Sequence, residues 1–321
     1  MSLKNKISLK TILLHFFRSL NTRFRKVNFK KINPFILVLI LVNIFSWTIV
    51  GGLLLNRSTS ANPQVDEKFV ADLKSAVFPS GGYESSLTWG DLGKILVDLG
   101  AIDRSAFEEI FKSPTDGRND LAILNGGSSE KIKINENNSS FVLDVLWAFG
   151  LVQKSKVLEK GPMKGDDYNF MDFASTAGWT LAAKPVEELY SSQELVSLND
   201  FQQDLVYKIA DNVYRPCCGN SAAFPDCNHG MAALGLIELL VSAGVSEEQI
   251  YQDVLAFNSF WFPQTYLEIA VYFAKQGVSW ADVSPQVALS FDYSSFEGYS
   301  KVQEAVQDIP GLEQSGASCG V

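Results

Sequence analysis

SLNDFQQDLVYKIADNVYRPCCGNSAAFPDCNHGMAALGLIELLVSAGVSEEQI, residues 197–250, reads as two helices joined by an irregular loop, with the cap of a third helix at its end. Ser197 and Asp200 open the first helix, and Phe201, Leu205, Ile209 and Val213 fall on one stripe at helical spacing. The second is apolar from Gly230 to Ala243, and Gly230, Ala233 and Gly235 leave room for another backbone to come close. Ser246 with Gln249 three residues later caps a third helix. Between the first two, Pro216, Gly219, Asn220 and Pro225 rule out regular structure.

Working outward, helical punctuation continues in both directions, and the expected fold class is all-α. Thr88 with Asp91 marks a helix from Trp89 to Leu99, stopped by Gly100. Asp103 caps a second helix through Phe111, KIKIN (131–135) is one short strand, and Phe141 to Phe149 is a helix ended by Gly150. On the C-terminal side Pro263 breaks the third helix, Thr265 to Gln276 forms another ended by Gly277, and Ser284-Pro285 and Ser294 start two short ones. The irregular stretch from Gly161 to Thr180 divides a helical subdomain over 67–160 from a second over 161–310, with a loose tail over 311–321. A chain 46% hydrophobic holds enough core for such a body, so disorder throughout is excluded.

The N-terminal part differs. Pro34 to Leu55, PFILVLILVNIFSWTIVGGLLL, is an uncharged run long enough to cross the hydrocarbon core as a single helix. Nine Lys/Arg residues and no acid precede it within residues 1–33, and Arg57 alone follows closely, so the N-terminus is expected in the cytoplasm and residues 56–321 outside. Residues 56–66 are a polar tether. The length of the span favours a retained signal-anchor over a cleaved signal peptide. The basic leader, with Ile7 to Leu20 apolar between cations, is suited to anionic lipid at the inner leaflet. Beyond Leu55 there are 18 basic and 36 acidic residues, a net charge of -18 that would repel nucleic acid, so membrane lipid is the expected partner.

Chemistry concentrates in the loop. Of four cysteines, Cys217, Cys218 and Cys227 lie within eleven residues, and His229, the only histidine after residue 15, follows two positions later. Thiolate and imidazole are the ligands of Zn(II) and Cu(I), and Met231 adds a thioether that only a soft ion such as Cu(I) would value. Asp226 or Asn228 as helix cap would place Cys227 and His229 at a positive helix end, which favours thiolate. The spacing departs from the paired C-x-x-C of a zinc ribbon. An oxidising compartment supports a second reading, in which Cys227 bonds Cys217 or Cys218 in a disulfide worth ~2–3 kcal/mol, the remaining thiol reaching Cys319. A third is thiol–disulfide exchange, which needs one exposed cysteine of depressed pKa.

The runs PCCGN (216–220), FPDCNHGMAALGLIEL (224–239), TWGDLGKILVDLGAID (88–103) and FASTAGW (173–179) resemble those of an uncharacterised family of membrane-anchored bacterial proteins. More distantly, the cysteine turn and AGVSEEQI (243–250) resemble the PCYCGC-motif proteins of bacterial surfaces. The resemblance implies a bacterial extracytoplasmic setting and supplies no activity. Asp166, Asp167 and Asp172 lack the spacing of a calcium loop, and no GxGxxG, P-loop or HExxH occurs. The expected function is a membrane-anchored protein holding Zn or Cu(I) through Cys217, Cys218, Cys227 and His229, with Met231 conditional; the alternatives are a disulfide-stapled surface module and a thiol oxidoreductase.

Overall fold

A computed structural model describes residues 66–112, 120–165 and 168–312. The described residues form one unit, mostly helical. In chain order its elements are α1 (Glu67–Val77), β1 (Tyr83–Gly90), α2 (Leu92–Leu99), α3 (Arg104–Ile110), β2 (Ser128–Ile134), α4 (Ser139–Val152), α5 (Lys156–Lys160), α6 (Ala174–Ala177), α7 (Val186–Leu189), α8 (Asp200–Asp211), α9 (Asn228–Ser242), α10 (Glu247–Trp261), α11 (Pro263–Lys275), α12 (Pro285–Ala288), α13 (Phe291–Ser294) and α14 (Phe296–Val306). The span expected over 34–55, the leader, the tether and Cys319 lie outside the described residues. Among those described, no helix is long and apolar enough to cross a membrane.

The all-α expectation holds broadly and fails at one hairpin. KIKIN does belong to a strand, β2, but its antiparallel partner is β1, a strand not expected, and the helix expected over Trp89–Leu99 starts only after it, at Leu92. Along β1 the side chains alternate, with Ser85, Leu87 and Trp89 buried and Glu84, Ser86 and Thr88 exposed, the period of two that a strand imposes. Only two of the three inward positions are apolar. Ser85 is tolerated because its hydroxyl donates to Asp253 at 2.6 Å, and the Tyr83 hydroxyl donates to the same buried carboxylate at 2.6 Å, fastening β1 to α10. Asp91 makes no side-chain cap to α2; it accepts from the Gly127 amide at 2.7 Å. Gly100 and Asp103 act as expected, the first in a left-handed stop and the second accepting from the Ala106 amide.

The core is organised by α4 against α9, the most extensive helix pair among the described residues. Both are buried nearly all round, as an apolar circumference requires. Gly150 does not end α4. It sits within the helix at the crossing, where an added Cβ would strike the Met231 carbonyl, and a Cβ on Gly235 would lie 2.7 Å from the Leu146 carbonyl oxygen. The helices meet backbone to backbone. Since α4 precedes and α9 follows the irregular 161–180 stretch, the two halves share this core. On α8 the cap is Asn199, in a reciprocal pair with Gln202, and the buried face is Val206, Ile209 and Ala210; Phe201 is 75% exposed, because the helix turns that position outward. Ser246 caps α10 and Pro263 opens α11 at its first turn, while Ser295 rather than Ser294 caps α14.

One group in this core is out of character. Glu238 on α9 is fully buried, with Ser155 beside its carboxylate but no well-formed hydrogen bond to either oxygen. Burial pushes its pKa up to about 8, so the folded protein keeps a proton that the unfolded chain releases above the ordinary carboxylate range. Folded protein therefore binds more protons than unfolded between the two values, and stability falls as pH rises toward 8, then levels off.

Two sets of variants test these statements. Gly150→Ala and Gly235→Ala should each lower unfolding free energy in urea by ~1–3 kcal/mol by forcing the helices apart, whereas Gly81→Ala, with open space around it, should be near neutral. Glu238→Gln should flatten the pH dependence of stability, the variant losing less than the parent between roughly pH 5 and pH 9; equal slopes would refute the buried proton.

Candidate metal centre

The loop between α8 and α9 is held from several sides. The amide of Ala222 donates to Val213 O at 2.8 Å and the amide of Ala223 to Ala210 O at 3.2 Å, folding the loop back on the end of α8. Tyr214 N–H donates to Leu289 O at 2.8 Å, Phe296 N–H to Cys218 O at 3.0 Å and Ser175 N–H to Asp226 O at 3.1 Å. Segments far apart in sequence thus fix its path, as a loop without its own ladder requires.

At its centre is Arg215, 1% exposed. Its Nε donates to Cys227 Sγ at 3.0 Å, Nη1 to Asn220 O at 3.0 Å, and Nη2 to Phe224 O at 3.1 Å and to the Asp226 carboxylate. The second Asp226 oxygen accepts from Asn220 Nδ2 at 2.8 Å. A buried charge is tolerable only when paired and bonded, and this one is both. Gly230 is required beside it, since an added Cβ would stand 2.5 Å from the guanidinium carbon. Sequence reasoning passed over Arg215, although it is the only Lys or Arg between Lys208 and Lys275.

The structure brings the three cysteines together. Their sulfurs lie within 4.8 Å of one another, Cys217 and Cys227 at 3.6 Å, and all three residues are partly exposed. Two thiolates on one tetrahedral zinc are about 3.8 Å apart, given a Zn–S bond of about 2.3 Å, so little movement is needed to close on an ion. Cys227, rather than Asp226 or Asn228, caps α9, its sulfur accepting from Gly230 N–H at 3.4 Å. Bonds from the other two thiols, then Arg215, hold the Cys227 pKa well below the usual thiol range against the effect of burial, and His229 adds a smaller effect the same way. The thiol of Cys217 is pushed up by its bonds to Cys218 and Cys227 and by burial. For Cys218 the bond with Cys217 lowers the value, but the bond with Cys227 and burial outweigh it and push it up to about 11. Of the three, Cys227 is the sulfur whose surroundings most favour the thiolate.

His229 is not part of the three-sulfur set. Its imidazole is 3% exposed and packs on Phe262, centroids 4.3 Å apart, with Trp261 at 6.1 Å; Nδ1 has no hydrogen-bond partner. Met231, one turn into α9, is fully buried in the core. Two further polar atoms near the loop are buried without a partner, Asn258 Oδ1, whose amide nitrogen donates to Tyr214 O, and Ser175 Oγ, beside the Asp226 carbonyl. No protein family, curated protein or solved structure matches this chain.

Gly230→Ala should displace the guanidinium and return Cys227 toward an ordinary thiol. Thiolate ultraviolet absorbance followed against pH should then show the lowest transition moving upward by at least about one unit. An unmoved transition in a folded variant would mean that Arg215 does not hold the sulfur.

Proposed function

We propose that this protein holds a soft metal ion, Zn(II) or Cu(I), on the thiolates of Cys217, Cys218 and Cys227. The observation that supports this reading is the convergence of three sulfurs within 4.8 Å beside a buried cation that favours thiolate. Metal uptake expels the protons of Cys217 and Cys218, which the ion replaces as partners of the Cys227 sulfur. Arg215 and Gly230 supply the N–H donors that orient a ligating sulfur and moderate its charge.

For Zn(II) a fourth ligand is needed, and His229, with its buried free Nδ1 two residues past Cys227, is the side chain best suited to turn in. For Cu(I) two or three thiolates suffice, and Met231 enters only there. With all positions closed, the ion's role is structural; with an open one, the protein carries or senses the metal. Anchoring by the 34–55 helix, N-terminus in the cytoplasm and site outside, belongs to the same proposal and rests on the apolar run and its one-sided basic flank. The bacterial surface setting rests on the resemblance of the loop segments.

The test is elemental analysis with thiol counting on the purified, reduced full chain. One ion per chain is expected, with Cys217→Ser, Cys218→Ser and Cys227→Ser each weakening retention by at least about tenfold. His229→Ala should release Zn(II) and spare Cu(I). Three titratable thiols within 217–227 and no retained ion after loading would end the proposal.

A further inference from the structure

The three sulfurs are not equivalent in geometry. Cys227 Sγ is fixed by two N–H donors, Arg215 Nε at 3.0 Å and Gly230 N at 3.4 Å, and Cys217 Sγ faces it at 3.6 Å. Cys218 Sγ lies within 4.8 Å of both but also reaches Asn220 O and an oxygen of Asp226, each at 3.8 Å. A bond between the neighbours Cys217 and Cys218 is disfavoured, because adjacent Cα atoms are closer than disulfide geometry accepts. The cluster is therefore a pair, Cys217 with Cys227, plus one ligand that stands apart.

We infer that this pair is a redox release for the bound ion: a hydroperoxide oxidises Cys227, Cys217 closes a disulfide onto it, and the site, left with Cys218 as its one thiolate, lets the metal go. In the first step the Cys227 sulfur attacks one peroxide oxygen, the O–O bond breaks, and the products are Cys227 sulfenic acid and hydroxide (from hydrogen peroxide). In the second the Cys217 sulfur attacks the sulfenic sulfur, the S–O bond breaks, and the thiol proton leaves with the hydroxyl as water. Two electrons pass from the two sulfurs to the peroxide, and one S–S bond forms. Arg215 Nε–H faces the reacting sulfur, where it can bond the departing hydroxide. A small oxidant is specified because all three cysteines are only partly exposed, in a loop closed in by Ser175, Leu289 and Phe296, which leaves little room for another protein's disulfide. Disulfide formation removes two of three thiolates at once, and one thiolate cannot retain a four-coordinate ion.

The ion-release half of this inference rests on the metal reading above; the thiol chemistry does not. Full-length protein, one portion loaded with Zn(II) and one metal-free, is treated with hydrogen peroxide in a one-to-one ratio. Intact mass, a chromogenic zinc indicator and dimedone trapping of sulfenic acid are followed together. The expected result in both portions is a loss of two hydrogens, with zinc appearing in step in the loaded one. Cys218→Ser should still close the disulfide, and Cys217→Ser should stop at a dimedone adduct on Cys227, its disulfide yield down at least about tenfold. Closure in metal-free protein that never bound zinc would sustain the redox inference while removing the metal reading. Zinc retention with peroxide-inert thiols would do the reverse. A disulfide that persists in Cys217→Ser, or gain of oxygen without disulfide in the parent, would overturn the inference without any variant having to be rescued.

Discussion

The whole loop between α8 and α9 is arranged around one buried guanidinium. A permanent cation inside a protein must find its acceptors nearby, and Arg215 finds a sulfur, two carbonyls and a carboxylate, all from residues 220–227. That demand makes the chain turn back on itself. With Asn220, Phe224, Asp226 and Cys227 gathered on one planar fork, Cys217 and Cys218, the second and third residues after Arg215, are carried onto the same side. The convergence of the three sulfurs follows from satisfying a charge. Replacing Arg215 by an apolar side chain would thus leave Asp226 and Cys227 without their cation and the loop without its centre.

The same loop shows how far the sequence can be read. The cysteines were legible because soft ligands are rare and here they cluster. The arginine that brings them together was not, because no motif marks it; its only sign is isolation, in a stretch otherwise without Lys or Arg. Helices with strong caps were legible, as at Asp103 and Ser246, since the cap and the bond it makes are local. The strand β1 was hidden because one of its inward positions is a serine, tolerated only through a long-range bond to Asp253, 168 positions later. Gly150 read as a stop because glycine ends helices more often than it admits a neighbour, and only the second helix reveals the difference. Phe201 read as core because spacing fixes which residues share a face, and not which face is covered.

Position on α9 then links site and body. The helix begins at Cys227 and one side of it meets α4 through Gly235, while Gly230 gives way to Arg215. Within three turns a single helix carries the sulfur, the gap for the cation and the helix crossing. Small residues serve two ends here: at 230 the missing side chain makes space for a charge, and at 235 for another backbone.

That Cys227 is both a candidate ligand and the cap of α9 ties chemistry at one atom to the thermodynamics of the entire domain. Whatever alters the electron density on this sulfur also alters the bond it takes from Gly230, and so the start of the helix on which the core is assembled. By linkage, any species that prefers one form of the sulfur must shift the folding equilibrium in proportion. The melting transition of the whole body would thus serve as a gauge of what occupies a site only a few ångströms across.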